Sequence, residues 1–441
     1  MSEVLMAAYE TSEGGERPTR KLPLGQLLNL SLYWLGINII WGGINVVLQP
    51  RMDELVGTAA SGTALALITA IGTVVAIAVQ PTVGAISDYT ISRWGRRKPY
   101  IAIGATLDLV FIAGVALSNT YLGVVAFVAL LQFSSNFAQG PFQGYVPDLV
   151  PEEQVGTASA LMGVMIMLGR VVGAGIGTIG LWTGSFVLAT IGLGVIEVVT
   201  AIATLLTVNE GRHAPPREGR SLFRIAREAW GLDILEQRDF LWLLGSRLFV
   251  LMGPVVLTDF VYFYLNRAFA LSDKETAVWI AVALPLFAVG TLLTIYPAAK
   301  LSDRFGRKPL IYASCAIGAV GMLGMALAPT VYVAVAIAPL VGVSAGAFVA
   351  VDWALMTELI PKVTSGRYMG ISNVASAIAG PIAVTLAGIT MDRVGALDFG
   401  AGPRAALLLA LVFYALGALL LGPVREPGAK VALHAVPEAA A

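Results

Sequence analysis

Apolar residues in this chain fall in blocks of roughly 20, separated by short polar breaks, the length a helix needs to cross ~30 Å of hydrocarbon. Twelve blocks can be counted, at about 24–50, 60–86, 99–117, 121–146, 157–180, 184–207, 240–267, 276–299, 309–328, 331–357, 367–391 and 403–422. Buried helices of soluble proteins seldom run this long without a charge. The pattern predicts an all-α integral membrane protein with twelve transmembrane helices. Composition agrees: 57% of residues are hydrophobic and 13% charged, against about a quarter charged in soluble domains. Mean hydropathy is +0.79.

Polar intervals divide the chain. Residues 1–23 form a polar tail that does not follow the basic-then-apolar pattern of a cleaved signal peptide. Residues 24–207 hold six spans, 208–239 the longest polar loop, 240–422 six more spans, and 423–441 a second tail. Within the loop, residues 221–230 read as an amphipathic helix with an Arg-rich face, suited to the membrane surface or to a solvated linker. With the first tail in the cytoplasm, the cytoplasmic side receives about 21 of the 28 Lys and Arg. The outer side receives Arg51, Arg267, Lys274, Arg393 and Arg404. Both termini are therefore expected in the cytoplasm of a cell-membrane protein. The formal net charge of +0 adds nothing to this, and the one cysteine, Cys315, cannot form an intrachain disulfide. His213 and His434 both lie in polar segments, with no metal or nucleophile constellation near them in sequence. An enzyme, a cofactor, a metal site and a nucleic-acid partner are not expected, and the protein is expected to be a monomer.

The two halves repeat. Leu301-Ser302-Asp303-Arg304-Phe305-Gly306-Arg307-Lys308-Pro309 is a weaker copy of the basic hairpin that begins at Ser87-Asp88 and continues through Arg93, Gly95, Arg96 and Arg97 to Pro99; the spacing is 303 − 88 = 215. Asp148-Leu149-Val150-Pro151 matches Glu358-Leu359-Ile360-Pro361, with 358 − 148 = 210, and Asn209-Glu210 matches Arg425-Glu426. Three matched landmarks imply two parallel six-helix halves, the internal symmetry of major facilitator transporters. Acids at the helix ends can meet the hairpin cations or a helix N-terminus. Asp88, Arg93, Arg96, Arg97, Asp148, Glu210, Asp303, Arg304, Arg307, Glu358 and Glu426 are thus candidates for a cytoplasmic gate that breaks as the halves rock. The alternative is that the cations only set topology.

The stretch Gln80-Pro81, Val83-Gly84, Ser87-Asp88, then Ser92-Arg93, Gly95-Arg96-Arg97 and Pro99 resembles the span 2–3 signature of plant sucrose transporters and their animal and bacterial relatives. The span 4 run Gln132-Phe133-Ser134-Ser135-Asn136-Phe137-Ala138-Gln139-Gly140-Pro141 resembles the same clade, and the Arg93-Trp94-Gly95 hairpin is shared with glycoside–pentoside–hexuronide symporters. The resemblance is specific over roughly residues 79–160. It implies a major facilitator fold and movement of a sugar, commonly a disaccharide and usually with a cation.

Two stripes inside the membrane suit such a substrate. Trp34, Asn38, Trp41 and Asn45 share one face of span 1, and Gln132, Asn136, Gln139 and Gln143 one face of span 4. Amides both donate and accept hydrogen bonds, and indoles offer flat apolar faces. In the fold it resembles, spans 1 and 4 line the central cavity. Helix–helix bonding is the other use of such amides. Of the ionisable residues within the spans, Arg247 and Asp352 lie at similar depth and can pair. Arg170 lies deeper, with Asp108 and Glu197 both open as its counter-charge. Asp259 lies nearer the outside and need only be solvated. Gln132 stands where the plant transporters carry an acidic residue associated with proton coupling, and Gln143 where they carry an Arg. Sodium-coupled relatives carry Asp where this chain has Gln80 and Ala76. Neither coupling arrangement carries over, so another acid, Asp352 or Asp108 first, takes the role, or the protein is a facilitator. The expected function is transport of a neutral di- or oligosaccharide, by proton symport with alternating access. The alternatives are uncoupled transport of a sugar or other solute such as a drug or pigment precursor, and a non-transporting receptor or assembly factor of the same fold.

Overall fold

The structure, a computed structural model, describes residues 19–88, 90, 92–210, 238–359 and 365–425. Twelve of its helices are long and apolar enough to cross a membrane. In chain order they are α1 (Leu24–Val56), α2 (Ser61–Asp88), α3 (Lys98–Leu117), α4 (Tyr121–Gln143), α5 (Val155–Thr183) and α6 (Phe186–Thr207). Then come α7 (Arg238–Ala268), α8 (Asp273–Phe305), α9 (Arg307–Ala326), α10 (Val331–Leu359), α11 (Ser365–Gly395) and α12 (Ala401–Leu421). Helices dominate because hydrocarbon offers no partner to a backbone N–H or C=O, and a helix satisfies both internally. Large apolar side chains such as Leu188, Leu206, Val74 and Tyr332 point outward and stay exposed. That is the reverse of a soluble surface and suits contact with lipid.

Several helices run past the apolar blocks. The first was expected to end near 50 and continues to Val56, and the eighth, expected over 276–299, spans Asp273–Phe305. Hydropathy marks only the part of a helix inside hydrocarbon, whereas its hydrogen bonds continue into the polar border. The fourth block ends early, at Gln143, and a one-turn helix Tyr145–Leu149 follows. Pro141 lies in the last turn of α4 and its carbonyl serves a side chain described below.

The chain forms two compact units, Met1–Trp230 with Leu271–Ala281, and Gly231–Ala270 with Val282–Ala441. In the first, α1 packs on α5 and α6, α3 on α4 and α6, and α2 on α4. In the second, α7 packs on α11 and α12, and α9 on α10 and α12. Residues of α8 and α10 also approach closely, as at Gly290 and Pro339. The helix pairs of one unit therefore recur in the other, six helices on.

Details recur with them. Gly95 and Gly306 sit before the two basic runs with φ of 121° and 91°, a conformation that L side chains rarely adopt. Lys98 Nζ caps the end of α6 at the Leu205 carbonyl (2.7 Å), and Lys308 Nζ caps the end of α12 at the Gly422 and Val424 carbonyls (2.9 and 2.8 Å).

Backbones come into close contact where α1 meets α5. A Cβ at Gly173 would lie inside the Ile39 carbonyl and 2.9 Å from Gly43 N, and one at Gly177 would lie 2.9 Å from the Gly43 carbonyl. Small residues let two membrane helices approach until their backbones touch. Gly173→Leu is therefore expected to force α1 and α5 apart and cost at least ~1–3 kcal/mol. A lower melting temperature and loss of the monodisperse peak in detergent would report it; wild-type melting would show that the contact has slack.

Candidate functional site

Three polar clusters carry the residues that the sequence singled out. The first lies at the hairpin end of α3. Arg96 donates to Asp148 Oδ2, and Arg97 Nη2 meets the same oxygen at 2.8 Å. Arg97 is buried, and its Nη1 donates to the Pro141 carbonyl at 2.8 Å. Glu210 Oε1 accepts from the Arg97 and Lys98 amides, both at 2.9 Å, and so closes the exposed N–H groups at the start of α3. Two fixed cations on one carboxylate hold the hairpin against the short helix after α4. Gln154, which the sequence did not single out, holds the polar tail: it accepts from Leu22 N at 2.7 Å and donates to Leu22 O at 2.9 Å.

The second unit has a thinner version. Arg307 Nη1 donates to Ser302 Oγ at 2.5 Å. Arg304 and Arg93 are exposed and lie over their neighbours Phe305 and Trp94, with 5.3 and 5.5 Å to the ring centroids. Asp88, Asp303 and Glu358 occupy the last turns of α2, α8 and α10. Their side chains, Glu426 and the segment 221–230 lie outside the described residues.

The second cluster lies within α1, α3, α4, α5 and α6. Asn38 is buried, donates to the Trp34 carbonyl at 2.9 Å, and accepts from Arg170 Nε at 3.3 Å. Asn136 is buried and donates to the Gln132 carbonyl and to Gln132 Oε1, at 2.7 and 3.1 Å. Trp34 is buried against Phe142, with 5.5 Å between ring centroids. Trp41, Asn45, Gln132 and Gln139 are half-buried, and Gln143 is exposed.

The two acids offered as counter-charges to Arg170 turn elsewhere. Ser134 Oγ donates to Asp108 Oδ1, Tyr33 Oη donates to Glu197 Oε1 at 2.9 Å, and the two carboxyls lie against each other. The arginine instead reaches Asn38 on the α1 face that α5 covers. Tyr33 and Ser134 are functional candidates the sequence did not flag, because hydroxyl residues in apolar helices most often bond their own helix.

The third cluster lies in the second unit. Arg247 Nη1 donates to Asp352 Oδ2, and Arg247 Nε donates to Ser376 Oγ at 2.9 Å. Both charged side chains are buried, so the pair links α7 to α10 and, through Ser376, to α11. Asp259 Oδ1 accepts from Thr258 Oγ1 at 3.1 Å.

A family model for the Major Facilitator Superfamily matches residues 27–384 and 256–438. The chain belongs to the Major Facilitator Superfamily. This is a family of small-solute transporters and not of enzymes. The sucrose transport protein SUT1 of Oryza sativa subsp. japonica is 31% identical over 133 residues, which is 25% of this chain and 25% of that protein. The match thus spans a quarter of the length of that relative. Two solved structures are similar in fold. A bacterial homolog of the human lysosomal transporter Spinster, inward-facing and unoccupied, gives a TM-score of 0.72 at 16% identity, over 90% of this chain and 95% of that one. A D-xylose-proton symporter gives 0.65 at 18%, over 91% and 97%.

Two outcomes are expected from these geometries. Burial raises the Glu210 carboxyl above its ordinary 4.5, against the Lys98 and Arg97 amides and charges that favour the carboxylate. A group raised on folding contributes stability that is complete below its unfolded value and is lost as pH rises through the folded value. Glu210→Gln keeps an acceptor for both amides and does not titrate. The melting temperature of wild type relative to Glu210→Gln should therefore fall as pH rises from about 4.5. Parallel profiles would show that Glu210 does not govern this pH dependence. In the third cluster, Asp352→Asn leaves the buried Arg247 without its counter-charge, an expected loss of about 3–5 kcal/mol. Adding Arg247→Gln should recover part of it, as read by the melting temperatures of a double-mutant cycle.

Proposed function

We propose that this protein is a secondary transporter of a neutral sugar, of di- or oligosaccharide size, working by alternating access and proton symport. One observation carries the sugar reading: neutral amides and indoles are gathered in one unit, on α1 and α4. Asn38, Asn45, Gln132, Asn136 and Gln139 supply both donors and acceptors, and Trp34 and Trp41 supply apolar faces for a sugar ring. Gln143, exposed at the end of α4, belongs to the same stripe. The similarity to a rice sucrose transport protein supports the same substrate class.

The hairpin residues Arg93, Arg96, Arg97, Asp148 and Glu210, with Arg304 and Arg307 in the second unit, act as the gate at the cytoplasmic face. The bias of Lys and Arg supports cytoplasmic placement of both termini, and the protein is proposed to act as a monomer in the cell membrane. Proton coupling falls to an acid buried inside a unit, Asp352 or Asp108, because Gln132 has no proton to exchange near neutral pH. That same glutamine favours a second reading, an uncoupled facilitator.

Uptake of a labelled sugar panel into proteoliposomes, with and without an inward proton gradient, tests both. Symport predicts accumulation above the outside concentration only with the gradient; a facilitator equilibrates and stops. No uptake of any sugar would reject the substrate class. Asn136→Leu should weaken binding of the transported sugar by ~0.5–1.5 kcal/mol for the lost hydrogen bond, or roughly two- to tenfold in affinity, with folding retained.

A further inference from the structure

We infer that Asp108 and Glu197 together form a proton-binding site in the first unit, loaded with one proton in this structure and carrying the transported proton. The use in transport rests on the symport reading above; the binding site rests on geometry alone.

Both carboxyls are fully buried. One oxygen of each has a hydroxyl donor, Ser134 on Asp108 Oδ1 and Tyr33 on Glu197 Oε1. The other two, Asp108 Oδ2 and Glu197 Oε2, receive no N–H or O–H from any described residue. The carboxyls contact each other directly. Two carboxylate oxygens are both acceptors, so a bond between them needs one proton. Two touching, buried carboxylates do not both ionise.

The neighbouring helices supply no other charge to the pair. The helix α3 packs on α4 and α6, and α6 packs on α1, α3 and α5. The α4 helix contributes Ser134, and α1 contributes the phenol of Tyr33. The only ionisable side chain of α5 is Arg170, which reaches Asn38. Among the described residues no Lys or Arg pairs with either acid. Asp352 differs: the guanidinium of Arg247 stands where Asp108 has a second carboxyl. A cation beside a carboxylate holds it ionised, whereas a second carboxyl holds a proton.

The second unit shows that the fold does not need acids here. Repeat spacing places Gly318 opposite Asp108 and Ser344 opposite Ser134, since 318 − 108 and 344 − 134 both equal 210, the spacing of Glu358 from Asp148. On the sixth helix of the second unit, Tyr414 lies against Gly318 as Glu197 lies against Asp108 in the first. The Tyr414 ring occupies the space over Gly318: a Cβ there would overlap the ring and lie 2.5 Å from Ser344 Oγ. One tyrosine and one glycine thus close the place that two acids fill in the first unit. Buried ionisable groups that a packed ring can replace are weak devices for stability, so their presence on one side points to use.

Infrared spectroscopy of the purified full-length protein in lipid nanodiscs tests the site. At neutral pH the wild type should show a protonated-carboxyl stretch that shifts in D2O. Asp108→Asn should remove it, because the amide N–H bonds Glu197 without a proton, and Glu197→Gln should do the same. Above the pH at which the proton leaves, the wild-type folding equilibrium should weaken by up to tenfold per pH unit, and both variants should lack that slope. An absent band in wild type, or a band unchanged in both variants, would overturn the proposal. So would a melting temperature raised by sodium but not by choline in wild type alone, which would make the pair a cation site. Should a variant fail to fold, the wild-type band and its response to sodium still decide. A band with no sugar uptake in liposomes would leave the proton site standing and remove the symport reading instead.

Discussion

Hydrocarbon supplies neither a hydrogen bond nor a counter-ion, and the polar groups of the membrane spans are placed under that constraint. The backbone meets it by remaining helical through all twelve spans. Ionisable side chains meet it in three different ways. Arg247 and Asp352 neutralise each other. Arg97 lies where two helix ends, a carbonyl and the Asp148 carboxylate surround it. Asp108 and Glu197 lie against each other with a hydroxyl donor on one oxygen of each. Each solution requires helices to meet in a fixed register. Close backbone contacts, such as Gly173 on the Ile39 carbonyl, provide it where α1 meets α5.

The same constraint decides what was readable before the structure. A helix that must satisfy its own backbone in lipid leaves a long apolar block, so the number and order of spans could be counted. The ends could not, because helical bonding outlasts the apolar stretch, as α1 does to Val56. Similar depth on two helices brought Arg247 and Asp352 to notice together. It could not assign Asp108 and Glu197, since depth along a helix says nothing about rotation. Arg170 looks toward α1, while the acids look toward the junction of α1, α3, α4 and α6. Tyr33 lay beside the conspicuous Trp34 and carried no periodic signal of its own. Glu210 was visible only through the half repeat; its bonds to the start of α3 needed coordinates.

Duplication separates scaffold from specialisation. Features present in both units are those the helical frame needs: the left-handed glycine before the basic run, the lysine capping the sixth helix, and the recurring helix pairs. Features present once carry no such requirement. The buried ion pair of the second unit links the first and fourth helices of its repeat. The first unit joins the corresponding helices by aromatic contact, Tyr33 and Trp34 against Phe142, with ring centroids 5.0 and 5.5 Å apart. The carboxyl pair of the first unit has Gly318 and Tyr414 as its counterpart.

That asymmetry bears on how such a protein moves. An ion pair locked to a third partner, as Arg247 is to Ser376, ties three helices while both of its charges are kept. A carboxyl pair ties α3 to α6 only while it holds a proton, because its unprotonated form is repulsive. The phenol of Tyr33 extends that conditional tie to α1, the helix that carries Trp34, Asn38, Trp41 and Asn45. Packing between α1 and α6 is already close at Gly36, whose missing side chain leaves room for Glu197 and Thr200. A change of one proton in this buried junction therefore acts on the same helix that presents the indoles and amides, without a charge having to cross the apolar interior between them.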